Sequence, residues 1–97
     1  MTGLETAERL SRKYAISMDD FLKLSTRSAL KEKKKRFQNE RLEILSRYHI
    51  KSKEEFATKI ESGEIQEHPG WEDLIELKNI ESEIEEINGD LYSLQSA

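Results

Sequence analysis

Two histidines, a carboxylate-rich stretch and one basic run are the residues in this chain that could do chemistry. A histidine serving as general acid or base needs a group that orients it and a pocket that excludes water. His68 stands in the turn sequence His68-Pro69-Gly70, and His49 follows Tyr48 at the end of a long helical pattern. A cation at that second position interacts well with the helix dipole. The expected roles are therefore an exposed turn histidine and a helix-end histidine. The carboxylates Glu72, Asp73, Glu76, Glu81, Glu83, Glu85 and Glu86 contain the i, i+4 pairs Glu72/Glu76 and Glu81/Glu85. A dinuclear carboxylate site would want Glu-x-x-His facing a bundle core, and neither histidine completes that pattern. There is no Gly-rich phosphate loop, no Gly-x-Ser-x-Gly elbow and no metal-ligand pair at helical spacing. Absence of cysteine removes disulfides, thiolate metal sites and a cysteine nucleophile. These residues predict no enzyme, no catalytic side chain, no metal and no cofactor.

The run Lys31, Lys33, Lys34, Lys35 and Arg36, followed by Arg41 and Arg47, is the one nucleic-acid-like feature. Clustered positive charge neutralises phosphates and releases counterions. These side chains spread around most of a helix, with Phe37 the one interleaved aromatic, and the net charge is −4. A solvated helix surface, partly facing acidic residues elsewhere in the chain, accounts for the run as well. The charge is sharply divided. Residues 1–53 carry 14 Lys/Arg against 7 Asp/Glu, and residues 54–97 carry 2 against 13. Opposite charges along the edges of a helix seam set partner and orientation, even when each exposed pair is worth less than about 1 kcal/mol.

One proline and four glycines in 97 residues leave little to interrupt helices. The expected fold is all-α: a single helical domain over 1–97, with a basic half (1–50) and an acidic half (51–97). It is drawn as an elongated hairpin or bundle with one long central helix and a heptad-patterned C-terminal helix. Leu4, Ala7, Leu10 and Tyr14 line one face of a first helix, with Thr2 as cap and Glu5 three residues on. Ser17, followed by Asp19 and Asp20, starts a second helix that meets no breaker before Ile50. Its seam runs through Leu30, Phe37 and Ile44, and its length is roughly thirty residues. Ser52 caps a short third helix carrying Phe56 and Ile60, and Gly63 ends it. A loop from Glu64 to Gly70 follows.

The fourth helix begins near Trp71, and Leu77, Ile80, Ile84, Ile87, Leu91 and Leu94 recur at alternating spacings of three and four. This heptad pattern is of the coiled-coil kind. It keeps its phase across Asn88-Gly89, so the helix is expected to continue there despite the ~1 kcal/mol cost of glycine. Tyr14-Ala15-Ile16-Ser17 is echoed in Tyr48-His49-Ile50-Lys51-Ser52: a tyrosine ends one helix, an isoleucine tucks in, and a serine caps the next.

Hydrophobic residues make up 35% of the chain, against roughly 45–50% in an average domain when glycine is included. So small an apolar supply leaves a monomer of this length marginal, which points to a homodimer sharing apolar stripes. No apolar run approaches the ~20 residues needed to cross a bilayer, and the first residues lack a secretory pattern. The expected location is cytoplasmic.

Two stretches resemble known families. Ala7-Glu8-Arg9-Leu10, Tyr14-Ala15-Ile16-Ser17, Phe21 and Arg27-Ser28-Ala29-Leu30 resemble the helix pair of ribbon-helix-helix antitoxins. That family reads DNA with a strand ahead of the first helix, and Met1-Thr2-Gly3 is too short to supply it. Tyr48 through Phe56, Gly63, His68-Pro69-Gly70-Trp71-Glu72-Asp73 and Leu77 to Ile87 are similar to small prokaryotic helical proteins that look like antitoxin partners of small toxins. The resemblance implies a dimeric antitoxin-like protein that masks a basic, nucleic-acid-facing surface on a small toxin. Trp71, Leu74, Ile75, Leu77, Ile80, Ile84, Ile87 and Leu91 would be its anchors, with the acidic residues from Glu54 onward around them. The alternatives are a self-associating structural protein, or a weak DNA binder using Lys31, Lys33, Lys34, Lys35 and Arg36.

Overall fold

The scarcity of helix breakers is realised as four helices in the computed structural model, which describes residues 1–96. They are α1 (Gly3–Lys13), α2 (Met18–Arg47), α3 (Lys53–Glu61) and α4 (Glu67–Ser96). No strand occurs among the described residues. The second helix is one uninterrupted rod of 30 residues, about 45 Å long. The fourth starts earlier than Trp71, at Glu67, but His68 and Pro69 depart from helical geometry, so its regular course begins after the proline. It runs through Asn88-Gly89 without a break.

The N-termini of α1, α2 and α3 are each closed by the expected side chain. Thr2 Oγ1 accepts the Glu5 amide at 3.1 Å, Ser17 Oγ that of Asp20 at 3.0 Å, and Ser52 Oγ that of Glu55 at 3.1 Å. The Glu55 carboxylate also reaches back to accept the Lys51 amide at 2.9 Å. That hydrogen bond, followed by the positive charge of Lys59, holds its pKa below the ordinary glutamate value.

The recurring tyrosine–isoleucine corner has a backbone explanation. Ala15 and His49 adopt left-handed φ of 56° and 54° just past the ends of α1 and α2. In the first corner the Ile16 amide donates to the Ser11 carbonyl and the Ala15 amide to that of Arg12. In the second, Ile50 donates to Leu45 and His49 to Ser46. Both are Schellman closures, which satisfy carbonyls that the helix leaves open. Gly63, at φ 84°, turns the chain after α3 and is the only one of the three with a residue type suited to that region. His49→Gly is therefore expected to raise the unfolding free energy by about 0.5–1 kcal/mol. Urea denaturation would show it as a higher midpoint at unchanged slope.

Helices α2 and α4 lie antiparallel. Arg47 meets Asp73, Arg41 meets Glu81, and Leu30 shares a groove with Leu94. The result is a hairpin 60 × 29 × 16 Å in extent with a radius of gyration of 19.4 Å. A compact chain of this length would have about 12–13 Å. The core sits at one end of the hairpin, where α3 joins it: Ile44, Leu45, Ile50, Phe56, Ile60, Leu74, Leu77 and Ile80 form one cluster. Phe37, Tyr48, Ala57, Ile65, Trp71 and Ile84 pack around it. Gly70 is buried there, and a Cβ on it would lie 3.2 Å from Ile65 Cγ2 and 3.3 Å from Ile60 Cγ1. Helix α4 can approach α3 closely only because that position carries no side chain.

The other end is thin. Among the described hydrophobic side chains beyond the cluster only Ile87 is buried. In α1 the face expected to be apolar is poorly covered: Leu4 and Tyr14 are exposed, Ala7 and Leu10 are half-buried, and the buried residue is Ser11. Its hydroxyl donates to the Glu8 carbonyl at 2.9 Å, so it sits there without an unmet polar group.

Candidate functional site

Heptad spacing turns one stripe of α4 toward the rest of the chain, and this decides where the anchor residues go. Leu74, Leu77, Ile80 and Ile87 are 1%, 0%, 4% and 4% exposed. They are enclosed by the chain's own helices, so in this conformation they serve as core and present nothing to a partner. Trp71, Ile84 and Leu91 are half-buried. Ile75 alone among the eight is open, at 58%. The eight residues are thus divided among core, seam edge and surface, because α2 and α3 already occupy most of the stripe.

Ile75 lies one turn beyond Trp71, and Glu72 and Glu76 flank the pair. Glu54, Glu61, Glu64 and Glu67, also exposed, add to the negative charge of this end. Glu72 accepts or shares a proton with His68 Nδ1 at 2.8 Å, and this hydrogen bond lowers its pKa. Both partners are exposed, so no enclosed acid–base pair is made. The i, i+4 spacing of His68 and Glu72 was enough to have foreseen that contact.

Other carboxylates of α4 are taken up internally. Glu81 holds Arg41 Nε at 2.9 Å and Lys53 Nζ at 3.7 Å. Asp73 accepts from Arg47 Nη1 at 3.3 Å and from the Tyr48 hydroxyl. The Tyr48 ring rests on Phe56 with centroids 4.5 Å apart. Tyr48 and Asp73 stand 25 residues apart, and nothing in local spacing pairs them before the antiparallel register is known.

Burial, then the hydrogen bond to Asp73, raises the Tyr48 pKa above 10.0. A raised folded value means that this contribution to stability is complete below the unfolded pKa, near 10, and is lost as pH rises through the folded one. Wild-type protein is accordingly expected to lose stability above about pH 10 faster than Tyr48→Phe. At neutral pH that variant should cost about 1 kcal/mol for the missing hydrogen bond. Thermal melts of both proteins from pH 7 to 11 measure the difference.

The basic run fares differently. Arg41 and Arg47 face acidic partners on α4, as the divided charge implies. Lys31, Lys33, Lys35 and Arg36 are exposed and Lys34 is half-buried. None of the five takes part in an ion pair among the described residues, and neither do Glu83, Glu85, Glu86 or Asp90. Two unpaired stretches of opposite sign therefore sit at the same level of the hairpin, on outer faces of adjacent helices.

Among the described residues no three His, Asp or Glu side chains gather as metal ligands. No described helix is long and apolar enough to cross a membrane. No curated protein and no solved structure matches the chain. A family model does match, over residues 1–97, so the chain belongs to the family described as uncharacterized protein MJ0235.

Proposed function

We propose that this chain is a non-enzymatic protein-interaction module, a dimeric antitoxin-like protein whose α3/α4 end binds a small basic partner protein. The observation that carries the reading is Ile75: a large aliphatic side chain, 58% exposed beside Trp71 and bordered by the exposed carboxylates Glu72 and Glu76. An apolar anchor supplies affinity once it is desolvated, and a charged rim supplies steering and selectivity. Glu72 and Glu76 border Ile75 on α4, and Glu54, Glu61, Glu64 and Glu67 add negative charge to the same end of the hairpin, which suits a partner whose own surface is built to meet phosphates. The role of Leu74, Leu77 and Ile80 is to hold α4 in place beneath the contact.

The test is co-purification of the tagged chain with the product of its neighbouring gene, compared between wild type and Ile75→Glu. Ile75 touches solvent more than core, so the substitution leaves the fold intact and is expected to abolish capture. Trp71 is the only tryptophan, and its fluorescence should shift when the partner binds. Unchanged capture by Ile75→Glu would end this reading.

A further inference from the structure

We infer that the thin end of the hairpin closes against a second copy of the chain, with α2 of each copy packed on α4 of the other in an antiparallel four-helix bundle. This rests on the dimeric part of the proposed function and names the face that makes it. The strip of α4 that makes it begins at Glu83, about 12 Å along the helix from Ile75, so partner binding and self-association can fail separately.

The seam of α2 explains why a second copy is needed. Positions 27, 30, 34, 37, 41, 44 and 48 recur at spacings of three and four, and all are buried or half-buried toward α4. Apolar Leu30, Phe37 and Ile44 alternate there with Arg27, Lys34 and Arg41. The α4 seam opposite is apolar at every step from Leu77 to Leu94. Beyond Ile80, Ile87 is enclosed, but against basic residues at alternate positions of α2 the seam leaves Ile84, Leu91 and Leu94 half-buried. Shallow grooves mark the shortfall on both faces: those of Arg27, Lys31, Leu91 and Gln95 and of Gln38, Arg41, Glu81 and Ile84 lie on one, and two more lie on the face that bears Lys33 and Arg36. One is bounded by Thr26, Leu30, Asp90, Ser93 and Leu94, the other by Lys33, Arg36, Phe37 and Glu40. Their α2 residues 26, 30, 33, 37 and 40 share one helical strip.

Charge chooses the occupant and its orientation. On this face α2 presents Lys33 and Arg36, and helical spacing puts Glu83, Glu86 and Asp90 on the corresponding strip of α4. These charges form no ion pair among the described residues. A twofold axis parallel to the hairpin sets each α2 against the α4 of the second copy at unchanged height. Lys33 and Arg36 then face Glu86 and Asp90 of the second copy, and every neighbouring helix pair is antiparallel. Packing α2 on α2 would instead oppose like charges. The strip from Thr26 to Glu40, which α4 accompanies to its end, spans about 21 Å, and two helices about 10 Å wide over that length offer a footprint of roughly 400 Å2 per copy before side-chain relief. The two footprints total about 800 Å2, to which interdigitated side chains add, and this places the contact at the low end of specific interfaces.

The experiment uses the full chain in sedimentation equilibrium. Wild type is expected at twice 11.4 kDa at micromolar concentration. The variants K33E/R36E and E86K/D90K should each dimerise about tenfold or more weakly. Mixed in equal amounts they should form a heterodimer of near wild-type affinity, because each α2 then meets an α4 of opposite charge. Circular dichroism confirms that each remains helical. Since the chain lacks cysteine, K33C and D90C supply a readout independent of charge: on oxidation their mixture should cross-link between copies in preference to either alone. Monomeric wild type would overturn the dimer altogether. A wild-type dimer whose reversal variants neither weaken nor complement, or whose cysteine variants do not cross-link, would overturn this face.

Discussion

Phe56→Ala is expected to remove about 3–5 kcal/mol of stability, enough to leave much of the protein unfolded at room temperature. Phe56 is the only aromatic side chain with no exposure at all, and it is held between the Tyr48 ring and the Ile44–Ile80 cluster. Truncation removes the transfer energy of the ring and leaves a cavity lined from three helices. A domain of this size has roughly 5–15 kcal/mol in total, and this one has a single small core. The loss should appear in urea titrations followed by helical ellipticity. A change below about 1 kcal/mol would mean that α3 does not pack as described.

Leu77→Ala follows, at about 2–5 kcal/mol, while Leu94→Ala in dilute solution should cost less than about 1 kcal/mol. The two leucines occupy the alternating seam positions of one heptad pattern, Leu77 with Ile84 and Leu91, Leu94 with Ile80 and Ile87, so both are marked apolar by the sequence alike. Their tertiary environments are not: Leu77 is 0% exposed in the three-helix core, and Leu94 is half-buried between two helices. Measured as a pair, they report how unevenly the hairpin is held together. The cost of Leu94→Ala should rise with protein concentration, since a second copy that binds only the folded chain stabilises it by mass action. Equal costs at every concentration would contradict both the thin end and its closure.

The charge distribution acquires a physical reading from the hairpin. Antiparallel return of α4 along α2 brings the acidic half back over the basic half, and Arg41, Arg47 and Lys53 are consumed in that contact. Each such pair is worth little at a wet surface. Their effect is to select the register in which Leu77 and Ile80 meet Ile44 and Leu45. What remains is segregated: exposed carboxylates at the closed end, Glu72 and Glu76 beside Ile75 among them, and unpaired bands of opposite sign on adjacent helices at the open end. A partner of basic surface and a second copy of the chain are the two occupants that those leftovers fit.

Helix positions, caps and the overall class were legible in the amino-acid sequence because they are local. Thr2, Ser17 and Ser52 each accept an amide three residues on, Gly63 takes the left-handed turn, and α2 runs unbroken between Ser17 and Tyr48. The echo of Tyr14–Ser17 in Tyr48–Ser52 was visible as well, although its cause, a left-handed residue after each helix, lies in backbone angles that alanine and histidine do not announce. The heptad stripe of α4 showed which residues seek cover. It carried no information about what covers them, because an apolar stripe is satisfied equally by a neighbouring helix of the same chain or of another. Only the tertiary structure enclosed Leu74, Leu77, Ile80 and Ile87, left Ile75 open, and joined Tyr48 to Asp73 across 25 residues. Burial is set by the length of α2, the antiparallel return of α4 and the closure of α3 over Gly70, which are distances between segments and not properties of any one of them.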